Sequence, residues 1–391
     1  MTRGVAVPLV AVLLLAGQVS PSSAQRPNAM ADPGTPAAAV LDGLVQPEEP
    51  GLAALVRQGG RVVFQRGYGV RQQGSRARID ERTGFRLASV TKQLTATAVM
   101  LLVRDGRLRY DDRLTTVLAF PAWGGQITIR HLLNHTSGLP DYEDLMDAAE
   151  RAGATPWTAD RQIQDEEVLS LLRAAPAGRF PPGTSWAYCN SGYVVLGLVV
   201  ARVSGQRFCD FLHDRVFAPL RMNRTLAYEK GRNQVPDRAF GHSRRADGFV
   251  ETDQSPTSAT LGDGGVYSNL EDLGRWDQAL RDHALVSPAA MKPALTPAAL
   301  ADGSSPRWPQ GPAGGDDLAP GQPVSYGFGW FLDPWHTRAR QWHHGETVGF
   351  RNVIERFPAD DLTVVVLCNR DDLEPRSIAE RIAARYLALA R

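Results

Sequence analysis

Strand-like runs stand at the two ends of this chain with helical runs between them, and no other feature restricts its fold as much. Residues 52–57 and 62–68 are short apolar runs flanking Gly59-Gly60, a pair that accepts positive φ, so they read as a β-hairpin. Strand character returns at 326–332, 340–344, 353–357 and 362–368. Between the two strand regions, 128–133, 165–174 and 193–204 read as helices, and an amphipathic helix over 377–389 closes the chain. Residues 89–103, apolar almost all round from Leu94 and stopped by Asp105-Gly106, predict a helix wetted on no side, which belongs in a core. Strands from both termini share a core most simply in one mainly antiparallel sheet flanked by helices. The expectation is an α/β chain of the α+β type, with a sheet lobe from about 49–85 and 325–391 and an inserted helical lobe from about 86–324. Residues 302–323, rich in Gly, Pro and Asp, read as a long surface loop, and together with 140–165 they are expected to wall a cleft.

The first residues read as a targeting segment: Arg3 gives a positive start, 5–16 is apolar, and Ser22-Ser23-Ala24 offers the small residues of a cleavage site. This predicts a signal peptide over 1–24, a flexible Ala- and Pro-rich leader over 25–48, and a catalytic unit over 49–391 that is secreted or periplasmic. The apolar run is too short for a stable membrane anchor, and no cysteine follows it to take a lipid. A formal net charge of +1 gives no field that would gather nucleic acid or an anionic membrane, which leaves a small-molecule or short-peptide substrate as the expected partner. The cysteines, Cys189, Cys209 and Cys368, read as small buried hydrophobes.

The sharpest chemical feature is Ser89-Val90-Thr91-Lys92 at the start of the buried helix. Positions i and i+3 share a helix face, so the Lys92 amine can lie beside the Ser89 hydroxyl. A dry cleft disfavours a lysine's charged form and leaves an amine able to take the serine proton. At the helix start the Ser89 backbone N–H is also free to face an oxyanion. The ordinary reading of the same residues is a serine N-cap followed by a solvated lysine. Composition speaks against it: the chain has only three lysines, Lys92, Lys230 and Lys292, amid many arginines, and arginine could not act as a base there.

Tyr188-Cys189-Asn190 is the second element. In an extended segment residues i and i+2 point to one side, so a phenol able to shuttle protons and a carboxamide able to hold a carbonyl enter one cleft. A tyrosine packed at a lobe edge with an asparagine in a turn is the bland alternative. The third is Trp342-His343-His344-Gly345-Glu346 on a late strand, where His343 and Gly345 share a face and the glycine allows close approach of a substrate to the backbone. Either histidine can equally be a core residue. His131 and His135 stand at i and i+4, but no Glu follows the first as in a zinc-protease helix, and neither a G-x-S-x-G elbow nor a phosphate-binding loop occurs. No cofactor or metal is expected.

Longer stretches tie these elements together. Phe85-Arg86-Leu87-Ala88-Ser89-Val90-Thr91-Lys92, Ile129-Arg130-His131-Leu132-Leu133-Asn134-His135-Thr136-Ser137-Gly138-Leu139, Pro182-Gly183-Thr184 leading to Tyr188-Cys189-Asn190, and Tyr326-Gly327-Phe328-Gly329-Trp330 resemble segments of one superfamily. It is that of class C β-lactamases and penicillin-binding proteins, with D-alanyl-D-alanine carboxypeptidases, D-aminopeptidases and related esterases, and the resemblance covers roughly residues 50–390. It implies a β-lactamase/transpeptidase-like fold and acyl transfer through an acyl-enzyme. Ser89 would attack a carbonyl, with Lys92 and Tyr188 sharing proton transfer and Asn190 holding the acyl side. His343 and Gly345 would contact substrate, and the backbone N–H groups of Ser89 and Glu346 would hold the oxyanion. Two departures matter. His343-His344-Gly345 stands where class C β-lactamases usually carry Lys-Thr-Gly, which weakens the case for a dedicated cephalosporinase and is typical of peptidase and esterase relatives. Glu346 brings a carboxylate to the oxyanion strand, where like charge hurts catalysis if it faces inward. The alternative from a different class is a non-catalytic protein on the same fold that binds cell-wall peptides or a partner; the presence of Ser89, Lys92 and Tyr188 together argues for the enzyme.

Overall fold

Gly59 and Gly60 take φ values of +59° and +74°, and between them they turn the chain from β1 (Leu52–Gln58) into β2 (Arg61–Tyr68), as the apolar runs and the glycine pair require. The computed structural model describes residues 1–2, 34–309 and 320–389. The expected signal peptide from residue 3 onward, its cleavage site near Ala24 and residues 25–33 of the leader lie outside the described residues. Short strands follow in the middle of the chain: β3 (Phe85–Arg86), β4 (Leu226–Ala227), β5 (His242–Arg245), β6 (Gly248–Glu251) and β7 (Val266–Ser268). The last strands are β8 (Gln341–Thr347), β9 (Phe350–Phe357) and β10 (Leu362–Cys368).

The main sheet has the order β2-β1-β10-β9-β8 and is antiparallel throughout, with Leu52 opposite Cys368 and Trp342 opposite Glu355. The two ends of the chain therefore pair at its centre, β1 against β10. Side chains alternate across β1: Ala53 and Leu55 join a core with the helices Lys92–Arg104 and Asn190–Ser204, while Leu52, Ala54 and Val56 join a second core with Ile378 and Ile382 of the helix Pro375–Leu389. Because both faces are covered, β10 is buried at every residue, whereas the edge strand β2 leaves Val62 and Val63 exposed. A small sheet of order β3-β7-β4 carries the chain into the turn at Ser89.

The structure departs from the sequence-based expectations at four places, each for a local reason. Residues 34–48 of the expected flexible leader are part of the folded body: Ala38–Leu41 is a helical turn, and Ala37, Ala38, Val40 and Leu41 are buried in the second core. An apolar run of that kind gains roughly 1.5–3 kcal/mol for each large side chain it buries, which outweighs its linker-like composition. Residues 326–332 form a tight turn instead of a strand, with Tyr326 bridging to Phe331 and Gly329 at φ +75°. The buried helix over 89–103 starts as a 3-10 turn, Ala88–Thr91, and becomes α-helical only at Lys92. The helix read from residue 193 begins at Asn190, so Cys189 is the last extended residue, at φ −149°.

Candidate active site

Strand β3 delivers the chain to Ser89 through Ala88, which takes φ +49°, a left-handed conformation that costs a residue with a side chain about 1–2 kcal/mol. The turn is held from outside by β8. A Cβ on Gly345 would stand 2.1 Å from the Leu87 carbonyl oxygen and 3.1 Å from the Ser89 nitrogen, so only a glycine lets that strand lie against the turn. The space expected for a substrate at Gly345 is thus taken by the protein's own backbone.

Lys92, one helical turn further on, is completely buried. Its Nζ lies 2.9 Å from Ser89 Oγ, 2.9 Å from Asn190 Oδ1 and 3.0 Å from the Asp263 carbonyl oxygen. Two of these partners can only accept, while the serine hydroxyl can accept or donate. Asn190 is placed by Asp141, whose carboxylate accepts the Asn190 backbone N–H at 2.7 Å and also the Glu143 N–H at 3.1 Å, linking the starts of the helices Asn190–Ser204 and Tyr142–Arg151. Gly329 supports the lysine from behind: a Cβ there would come within 2.8 Å of the Lys92 carbonyl group.

Tyr188 is half-buried, and its ring centroid is 4.9 Å from Lys92 Nζ. Rings hold it: His135 at 4.4 Å, His343 at 6.2 Å, Tyr326 at 6.4 Å, and Phe331 stacked at 6.5 Å between centroids. His343 is brought to this aromatic group and not to the cavity surface: it is fully buried, with Nε2 3.0 Å from the Tyr326 hydroxyl. Burial, then the neighbouring His344 and Lys92, hold its pKa well below that of an ordinary histidine, so it is a neutral ring.

A cavity of about 390 Å³ opens over Ser89, with Asn190, Glu143, Asp263 and Glu346 in its wall. Glu346 is exposed and stands across from Arg351 in the β8–β9 ladder. Although the Glu143 side chain reaches solvent, the surrounding protein and the Asp141 and Asp263 carboxylates push its pKa up to about 7. Of the two segments expected to wall the cleft, 140–165 contributes Tyr142 and Glu143. In the other, Trp308 packs edge-on against Trp186 at 4.9 Å, behind the aromatic group, and residues 310–319 lie outside the described residues. The cysteines are buried and unpaired.

Sequence reasoning did not single out Asp263, Asp141 or Glu143, and it gave Tyr326 and His135 no role in the site: both stood within segments of the family resemblance, and His135 was otherwise weighed as a metal ligand. Gly262-Asp263-Gly264-Gly265 was the available signal: a Cβ on Gly262 would meet the Tyr193 carbonyl oxygen at 2.2 Å, so this glycine run marks a loop pressed against the helix Asn190–Ser204.

A serine at the head of a buried helix, a buried lysine one turn on, and an antiparallel sheet built from both chain ends define a serine hydrolase of the penicillin-recognising kind. Residues 37–389 match the family Beta-lactamase, and the chain belongs to that family. It is 29% identical over 334 residues to a penicillin-binding protein of Bacillus subtilis strain 168, covering 81% of this chain and 68% of that one. It is 28% identical over 344 residues to a D-aminopeptidase of Cereibacter sphaeroides, covering 86% of this chain but 60% of the relative's length. Among solved structures, the octameric penicillin-binding protein homologue from Pyrococcus abyssi superposes with a TM-score of 0.72 at 26% identity, over 88% of this chain and 74% of that one. Among the described residues no helix is long and apolar enough to cross a membrane.

Proposed function

We propose that this chain is an exported hydrolase that cleaves amide or ester bonds of small D-amino-acid substrates through an acyl-enzyme on Ser89. The observation that carries the reading is the fully buried Lys92 amine 2.9 Å from Ser89 Oγ. With Asn190 Oδ1 and the Asp263 carbonyl taking two N–H bonds, a neutral amine has its lone pair left for the serine proton, and an ammonium has its third N–H left for the serine oxygen. The same geometry serves both ends of a proton transfer. Ser89 attacks the carbonyl as Lys92 takes its proton, and the phenol of Tyr188 passes a proton to the leaving group. The oxyanion lies on the backbone N–H groups of Ser89 and Glu346, and Asn190 orients the acyl side.

Substrate class follows from charge. Glu143, Asp263, Glu346 and Asp371 line the cavity against two guanidinium groups, Arg86 and Arg351, and Arg351 is already paired with Glu374. Such a wall suits a free α-ammonium better than a carboxylate. The absence of a lysine at His343 and the D-aminopeptidase relative support the same choice. The test is a turnover panel on the mature protein: a D-amino-acid amide, its L-enantiomer, a p-nitrophenyl ester and nitrocefin, with Ser89→Ala as control. Turnover of the D-amide and the ester, with weak or no nitrocefin hydrolysis, is expected. Rapid nitrocefin hydrolysis would reverse the substrate ranking, and failure of a fluorophosphonate to label Ser89 would remove the enzyme reading.

A further inference from the structure

We propose that His135 is a positioning residue that fixes the Tyr188 phenol in its working geometry, an inference that rests on the proton-transfer role given above to Tyr188. His135 follows the helix Ile129–Leu133 in a turn, takes φ +64° and is 1% exposed. It grips the segment at two points on either side of the phenol-bearing residue. Its carbonyl oxygen accepts the Ala187 N–H at 3.1 Å, and its Nδ1 accepts the Cys189 N–H at 3.2 Å. Tyr188 therefore sits between two anchored amides. Its ring lies on the His135 ring, 4.4 Å away and inclined by 35°, and Tyr326 at 4.6 Å, Tyr193 at 5.3 Å and Trp186 at 5.8 Å also pack around the imidazole.

The choice of histidine has a physical reason. A ring nitrogen that accepts a backbone N–H must be unprotonated, which fixes the neutral tautomer with its proton on Nε2. Burial and the nearby Lys92 charge hold this ring's pKa well below the ordinary histidine value, so the acceptor persists in mildly acidic solution. A phenylalanine would keep the stacking but orphan the Cys189 N–H. An asparagine would keep an acceptor and the left-handed backbone but lose the stacking. Each contact can thus be removed separately.

The experiment compares His135→Phe and His135→Asn with wild type, each also in a Tyr188→Phe background. Expected for either single variant is a fall in kcat of about tenfold to a hundredfold with KM within about twofold, because orientation of the phenol at the reacting bond is lost while Asn190 stays held by Asp141 and Lys92 and His135 itself lines no part of the cavity. In the Tyr188→Phe background the same change should alter kcat by less than about twofold, since the group being oriented is gone. Equal factors in both backgrounds would overturn the proposal, as would wild-type kcat in both His135 variants. Full activity of Tyr188→Phe alone would instead strike the role assigned to the phenol. Thermal melting and near-UV circular dichroism report whether the variants fold. Independently of any variant, 15N-histidine spectra of the wild type should show His135 neutral with Nδ1 unprotonated between pH 5 and 8, and a His135 signal titrating near 6.5 would overturn the proposal.

Discussion

Lys92 and Tyr188 face each other across 4.9 Å, yet they are held by different forces. The lysine has no exposed surface and reaches three oxygens at 2.9–3.0 Å, from the Ser89 hydroxyl, a side-chain amide and a main-chain carbonyl. The tyrosine is half-buried and held by rings at 4.4–6.5 Å. Directional bonds to a buried amine tolerate no substitute, because each orphaned partner bears a desolvation cost. Ring packing degrades gradually, since many small contacts share the energy. The two sides of the site should therefore respond to mutation in different ways.

The largest effect is expected at the lysine. Lys92→Arg puts a planar, permanently protonated fork in a pocket shaped around one nitrogen, so kcat/KM should fall by about 10³-fold or more, close to the loss in Ser89→Ala. Steady-state kinetics on the preferred ester would show it. Activity within tenfold of wild type would mean that the residue acts through charge alone, and the contrast between the two sides would collapse.

Gly345→Ala attacks the Ser89 side without touching a polar side chain. With 2.1 Å between the new Cβ and the Leu87 oxygen, β8 or the Ser89 turn must move, at a cost of about 1–3 kcal/mol in stability and about a hundredfold in rate. Melting temperature and kcat should drop together. A variant with normal melting and normal kcat would show that the turn does not depend on close contact with the strand.

Tyr188→Phe removes only the hydroxyl and leaves the stacking in place. A loss of about 10²-fold in kcat with an unchanged melting temperature is expected, in contrast to the combined loss at Gly345. If melting falls while kcat holds, the tyrosine is a packing residue, as the bland reading of its tripeptide allowed.

This contrast also explains what could be read from sequence. Ser89 and Lys92 are three positions apart on one helix, and local spacing alone brings them together; the Gly59-Gly60 hairpin was legible for the same reason. Asn190 and Tyr188 were found by their spacing, although the helix starts at Asn190 and not three residues later. The Asp263 carbonyl is a main-chain atom 171 positions from Lys92, and no side-chain pattern announces a carbonyl. His343 was placed on the face of Gly345 correctly by strand alternation, but which layer covers that face depends on Tyr326, whose turn was read as a strand because its aromatic and glycine residues mimic one. The helical turn at Ala38–Leu41 was hidden by a composition that linkers share.

The smallest expected effect lies at Glu143, in the wall of the cavity over Ser89, and its pH dependence has a definite sign. Its carboxyl stands at about 7 in the folded chain against an ordinary 4.5, so it is neutral below pH 7 and charged above. If it attracts a substrate ammonium, KM for a D-amino-acid amide should rise a few-fold as pH falls from 8 to 6 while kcat changes less, since a partly exposed pair contributes modestly. Glu143→Gln should show the high-KM value at both pH values, and KM for a neutral ester should not follow the same curve. Stability provides the second arm. A carboxyl whose folded pKa lies above its unfolded one disfavours the native state increasingly as pH rises from 4.5 through 7, so Glu143→Gln should melt closer to wild type at pH 4 and above it at pH 8. A melting advantage without any change in KM would locate the crowded carboxylates correctly but take the ammonium away from them, leaving the acidic wall as a feature of the fold and the substrate's charge to be set elsewhere in the cavity.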